Sequence, residues 1–322
     1  MYSVLTMYRK KRIALVIPAR NEEKLIKPTL LTTPKFVDRI YVVDDGSTDN
    51  MARVVKAIQK KQKRVTLIQN KKNVGPGGAI IVGYKQAYKD KYDITVVVGG
   101  DNQMPMEQMT RFLDPLIDNK ADYAKGNRFL VEGNVYESMP LIRQFGNMII
   151  SLLTKLASGL YKIYDVVDGY TAITREAIGL INWDKAWPKY GYPMDFLIRC
   201  NAYGLRVLDI PRRAIYLPGE KQSQIKGLNY TIRVSPMLLR GFFWRLFKKY
   251  LIRDFHPLIF FYLMGIIFLP VGLIWGGVLV YFKITGINIS GPKAVLDAIF
   301  ILLGFQSILF AILFDMQNEN NR

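Results

Sequence analysis

The sequence predicts an α/β domain on a doubly wound, mostly parallel sheet, followed by a membrane anchor. Three observations carry that expectation. Short β-branched runs recur, each closed by a turn rich in Gly, Asn or Asp and followed by a helical stretch. One of them, Thr95-Val96-Val97-Val98, stops abruptly at Gly99-Gly100-Asp101. Finally, residues 257–282 contain no charged side chain.

The run ending at Asp101 reads as a central strand. Apolar runs of about four to eight residues closed by glycines suit a strand buried on both faces, and open α/β sheets bind ligands beyond the carboxyl ends of such strands. Gly99 and Gly100 allow a large ligand to approach the backbone. Asp101 and Gln103 supply oxygens suited to a hard divalent cation carrying phosphates, although a strand followed by an Asx turn gives the same residues.

In chain order, Ile13 to Pro18 is a first strand, and Asn21 then caps a helix whose first turn takes Glu22 and Glu23. Arg39 to Val43 is a second strand, running into Asp44-Asp45-Gly46-Ser47-Thr48-Asp49-Asn50 before a helix from about Met51 to Lys61. Capping explains Ser47 or Asp49, but not two adjacent acids after an apolar strand, so Asp44 and Asp45 are candidates to accept from a base or ribose. Val65 to Gln69 is a third strand. The Gly75-Pro76-Gly77-Gly78 cluster after it, with Lys71 or Lys72, either holds a phosphate at a helix start or forms a tight turn.

The chain has 322 residues, enough for one large domain and an appendage, and its net charge is +19. Basic residues thicken before the apolar stretch, at Arg233, Arg240, Arg245, Lys248, Lys249 and Arg253. This favours anionic lipid and phosphorylated substrates over nucleic acid. A helix of about 26 residues is roughly 39 Å long, more than a hydrocarbon core of about 30 Å, so residues 257–282 should span and 294–314 return. The expected division is a catalytic domain over 1–228, amphipathic interfacial helices over 229–256 and a two-span anchor over 257–322. Basic residues beside a span stay cytoplasmic, which puts the large domain in the cytosol. Cys200 is the only cysteine and His256 the only histidine, which excludes an internal disulfide and a histidine-based metal cluster.

Several segments taken together resemble a known family. Pro18-Ala19-Arg20-Asn21-Glu22, Asp44-Asp45-Gly46-Ser47-Thr48-Asp49 and Gly99-Gly100-Asp101-Asn102-Gln103-Met104 look like successive signatures of family 2 glycosyltransferases, which have the GT-A fold. Asp122 to Phe129, Asp165 to Ile173 and the paired spans are similar to the polyprenyl- and dolichyl-phosphate branch, which includes dolichol-phosphate mannose synthase. The resemblance implies a nucleotide-sugar donor, UDP- or GDP-linked, held by residues 18–22, Asp44, Asp45 and the 99–103 turn. It also implies Mg²⁺ or Mn²⁺ as cofactor. Because Gly99 stands where the motif has its first acid, metal binding falls to Asp101, helped by Gln103 and the diphosphate.

A polyprenyl phosphate acceptor arrives as an anion, so it needs positioning and charge neutralisation more than a general base. By resemblance Lys125, Arg128 and Arg143 provide these, while Arg213 and Lys221 belong to a basic loop that closes on the donor phosphates. Asp195 occupies the segment where related enzymes keep a base for hydroxyl acceptors, and N-capping explains it equally well. The expected activity is inverting transfer of one sugar to a polyprenyl (dolichyl) phosphate. The competing expectations are the same fold acting on a hydroxyl with Asp195 as base, and a non-catalytic nucleotide-sugar-binding membrane scaffold.

Overall fold

The structure is a computed structural model that describes residues 7–130, 141–215, 227–253 and 255–320. The chain divides into two compact units, one of residues 1–158 with 162–242, the other of residues 159–161 with 243–322.

The first unit is built on a mixed seven-stranded sheet. Strands β1 (Ile13–Ala19), β2 (Arg39–Asp44), β3 (Val65–Gln69) and β4 (Ile94–Val97) form its parallel half, within a residue of the sequence expectation. They are joined by helices α1 (Ile26–Leu31), α2 (Met51–Lys61) and α3 (Pro76–Lys89), the crossovers that parallel pairing requires. Helix α4 (Met109–Ile117) leads to β5 (Tyr123–Asn127), and helix α5 (Leu141–Ser158) precedes β6 (Thr171–Thr174). Then come α6 (Arg175–Leu180), α7 (Tyr192–Ala202) and β7 (Val207–Pro211). The order across the sheet is β3-β2-β1-β4-β6-β5-β7. Strand β6 lies antiparallel between β4 and β5, whereas β5 and β7 pair in parallel.

Burial explains the centre of this sheet. Ile94, Val96 and Val97 are flanked by Ile13, Leu15 and Ile17 of β1, and all are essentially inaccessible to solvent. Because β4 is covered on both faces, its run is continuous rather than alternating. Phe112 of α4 stacks on Tyr170 just ahead of β6, their ring centroids 4.0 Å apart, which fixes the approach of the 165–170 loop to the strand ends.

Asn21 departs from expectation. It adopts φ +59° and is not a helix cap, since α1 begins only at Ile26. Its side-chain oxygen accepts the Thr48 N–H at 2.8 Å and its own N–H donates to Ser47 Oγ at 3.0 Å, tying the turn after β1 to the turn after β2.

In the second unit, α9 (Leu258–Ile284) and α10 (Gly291–Asn320) pack antiparallel. Gly265 lies against Ile308, Gly272 against Ile301 and Gly276 against Asp297, and these small residues let the backbones approach closely. Both helices are long and apolar enough to cross a membrane. Ile274 is 70% and Leu302 65% exposed, which sets them apart from helices buried in a soluble core. Helix α8 (Gly227–Leu246) runs into a π-helical segment, Phe247–Arg253.

The Arg245 guanidinium, fully buried, donates to both Asp315 oxygens at 2.9 and 2.8 Å. The Asp315 carboxylate also accepts Tyr250 Oη at 2.5 Å and Tyr161 Oη at 3.1 Å. The pair is bidentate and shielded, a geometry that offsets part of the desolvation of two charges.

Truncating Phe112 to Ala removes one face of the ring stack and opens a cavity. Unfolding of the first unit, followed by near-UV circular dichroism in urea, should show a loss of about 3–5 kcal/mol.

Candidate functional site

The carboxyl ends of the central strands open into a cavity of about 780 Å³. Its walls come from the turn after β1 (Pro18, Ala19, Arg20, Glu22), Asp45 beyond β2, the Asn73–Pro76 turn and Gly99, Gly100 and Asp101 beyond β4. Gly169 before β6, the segment from Lys189 to Pro193, and Tyr230 of α8 complete it. This is where a doubly wound sheet places a ligand.

The two acids after β2 have different surroundings. Asp45 is on the cavity wall and accepts the Val74 N–H and the Asn70 side-chain amide at 2.9 Å, with the Gly75 N–H at 2.8 Å. Asp44 is buried off the wall, its oxygens accepting the Ser47 N–H at 2.9 Å and the Gln69 side-chain amide at 3.2 Å. The backbone donors at the glycine cluster therefore serve Asp45, which removes the phosphate-cradle alternative for Val74 and Gly75.

Asp101 lies on the wall, and burial raises its carboxyl above the ordinary carboxylate range, opposed by the Gln103 N–H it accepts at 3.2 Å. A carboxylate in that condition is stabilised by an added cation. The Gln103 side chain is not part of the wall. The absence of a side chain at Gly99 has a local reason, since a Cβ there would lie 2.8 Å from Asp101 Oδ1. Among the described residues no group of three or more His, Cys, Asp or Glu side chains is arranged to hold a metal.

The expected acceptor cations are held elsewhere. Lys125 is buried in β5, where its ammonium donates to the Gly126 carbonyl at 2.8 Å and to the Asp165 carbonyl and pairs with Asp209 at 3.0 Å. Arg128 donates from Nε and Nη2 to the two Asp165 oxygens at 2.7 and 2.9 Å. Arg212 donates to Asp168 at 2.7 Å. Burial raises the Asp165 carboxyl, but the Arg128 guanidinium, the Lys125 ammonium and the Arg128 N–H together more than compensate and hold it below its usual value. Neither Lys125 nor Arg128 lines the cavity. Arg213, exposed, pairs with Glu107 at 2.9 Å, also off the wall. Lys221 and the side chain of Arg143 lie outside the described residues.

Asp195, in the first turn of α7, is buried and off the wall. Its Oδ2 accepts Arg199 Nε at 2.7 Å and the Trp187 N–H at 2.8 Å. Arg199 in turn donates to the carbonyls of Asn182 at 3.3 Å and of Lys185. The ion pair thus fastens residues 182–187, and the segment after them brings Lys189, Tyr190 and Tyr192 to the cavity. Sequence reasoning missed these three. The Gly75-Pro76-Gly77-Gly78 cluster is their signal, because a Cβ on Gly75 would lie 2.5 Å from the Pro188 carbonyl oxygen and one on Gly77 2.6 Å from that of Trp187.

Comparison with known proteins agrees with this geometry. The Glycosyl transferase family 2 model matches residues 14–180. A UDP-N-acetylglucosamine–dolichyl-phosphate N-acetylglucosaminyltransferase of Methanococcus voltae is 30% identical over 235 residues, 69% of this chain and 92% of that protein. An undecaprenyl-phosphate mannosyltransferase of Micrococcus luteus is 27% identical over 203 residues, 62% of this chain and 82% of its own. Among solved structures, glucosyl-3-phosphoglycerate synthase of Mycobacterium tuberculosis with Mn²⁺ and UDP-glucose aligns with a TM-score of 0.52 at 21% identity, covering 74% of this chain and 79% of that one. That similarity shows a shared fold. The family match spans β1 to β6 and the turns they bring to the cavity, ending before the Lys189–Pro193 segment, and with it the chain belongs to glycosyltransferase family 2.

Proposed function

We propose that the chain transfers one sugar from a nucleotide-sugar donor to a polyprenyl (dolichyl) phosphate, with inversion, at a membrane surface. The observation that carries this reading is the engagement of Asp195 by Arg199 and the Trp187 N–H, away from the cavity. A hydroxyl acceptor must lose a proton as it attacks, and the residue expected to take it is held in an ion pair. A phosphate acceptor arrives ionised and needs only alignment behind the anomeric carbon. Relatives named for dolichyl- and undecaprenyl-phosphate acceptors support the same choice.

The donor's nucleotide, UDP- or GDP-linked, fits against the turn after β1 and Asp45, with its diphosphate directed to Asp101 and the backbone of Gly99 and Gly100. Asp101 would hold Mg²⁺ or Mn²⁺ together with the donor diphosphate, and the burial of this carboxylate, which the Gln103 N–H offsets only in part, is the feature that fits a cation there. Such an ion supplies Lewis acidity toward the departing diphosphate. Glu22 and Arg20 line the same wall, and Asn21 holds their turn against the Ser47–Thr48 turn. Helices α9 and α10 cross the bilayer in this reading, with the first unit on the cytosolic side.

Incubating membranes containing the chain with UDP- and GDP-sugars and extracted lipids, then weighing the glycolipid by mass spectrometry, should reveal one donor-dependent product. The absence of product across the panel would overturn the proposal. Asp101→Asn should lower turnover by about 10²–10³-fold. Asp195→Asn should cost about 3–5 kcal/mol of stability, read by thermal melting, while protein that still binds donor loses less than about tenfold in turnover. Near-complete loss of transfer in folded, donor-binding Asp195→Asn would instead favour the hydroxyl acceptor.

A further inference from the structure

Among the described residues the cations that line the cavity are Arg20 and Lys189, and neither side chain has a hydrogen-bond or ion-pair partner there. The basic residues that the motifs suggested, Lys125 and Arg128, are held by carboxylates. Lys189 is an exposed lysine, but the backbone around it is held from several sides. The Pro188 carbonyl accepts the Gly78 N–H at 2.9 Å, and the Trp187 N–H donates to Asp195 at 2.8 Å. The Trp187 indole N–H donates to the Tyr190 carbonyl at 2.9 Å, and the Lys189 carbonyl itself accepts the Tyr192 N–H at 3.2 Å. Gly191 closes the segment at φ +101°, in the left-handed region that glycine favours.

A lysine side chain loses rotamer freedom when it binds, and a fixed backbone under it lowers the remaining ordering cost. We infer that Lys189 is a substrate-phosphate-binding residue, presented to the cavity by a segment that the glycines at the start of α3 and the Asp195–Arg199 pair hold in place. Its ligand is a phosphate group carried by one of the two substrates, the lipid monophosphate or the nucleoside diphosphate. This inference rests on the reading of the cavity as a sugar-transfer site. It also assigns the Gly75–Gly78 cluster a purpose, as the seat for residues 187–188 rather than a phosphate cradle.

The test compares full-length wild type, Lys189→Gln and Lys189→Arg in detergent micelles. Steady-state transfer is measured from the nucleotide sugar that wild type uses to undecaprenyl or dolichyl monophosphate, varying each substrate in turn. Lys189→Gln should raise the KM of one phosphate-bearing substrate about tenfold or more, with Lys189→Arg returning to within about threefold of wild type. A rise confined to the lipid assigns the monophosphate, and a rise confined to the donor assigns the diphosphate. Both KM values within about twofold of wild type, or an Arg variant no better than Gln, would overturn the inference. If wild type transfers nothing, the proposed function fails on its own, and titration of the three proteins with UDP, GDP and undecaprenyl monophosphate by tryptophan fluorescence decides the matter. A weaker Kd in Gln restored in Arg supports a phosphate site, and equal Kd values in all three overturn it.

Discussion

The Asp45 carboxylate is the constraint on which the cavity depends. A buried acid must have its oxygens satisfied, and Asp45 satisfies them with the Val74 and Gly75 N–H groups and the Asn70 amide. That draws the turn after β3 over the end of β2 and sets where α3 begins. The start of α3 then receives the carbonyls of Trp187 and Pro188 at distances no side chain would allow. The position of Lys189 and Tyr190 is thereby traceable, through two loops, to one carboxylate at a strand end.

Positive charge is partitioned in the same unit. Lys125, Arg128 and Arg212 are matched by Asp209, Asp165 and Asp168 beneath the ends of β5 and β7, where low solvent access makes unpaired charge costly. These contacts hold the 165–170 loop, which places Gly169 on the wall. Among the described residues, the cations on the cavity wall whose side chains have no such partners are Arg20 and Lys189. An excess of basic residues in a composition therefore says little about which of them meet a ligand.

The parallel half of the sheet and the two long apolar helices were legible because each is a local pattern: a β-branched run with its turn, or a charge-free stretch. Strand ends carrying acids were legible for the same reason, and Asp45 and Asp101 do lie on the cavity wall. What could not be read depends on partners distant in sequence. Nothing near Lys125 announces Asp209, and nothing near Asp195 separates a base from an anchor until Trp187 folds back onto it. Asn21 looked like a cap because its neighbours are acidic, whereas the Ser47–Thr48 turn supplies a better partner. The antiparallel β6 was hidden too, since four residues of alternating size carry no direction.

The Arg245–Asp315 pair has a consequence for how the anchor is made. Its members are 70 residues apart, with both apolar helices between them, and Asp315 lies near the end of α10. During synthesis the acid emerges long after the arginine, and until the two meet each carries its charge without the other. Closure of this clasp therefore needs α10 to be complete almost to its end, and a chain cut short before residue 315 would lack the acid that the buried Arg245 guanidinium pairs with.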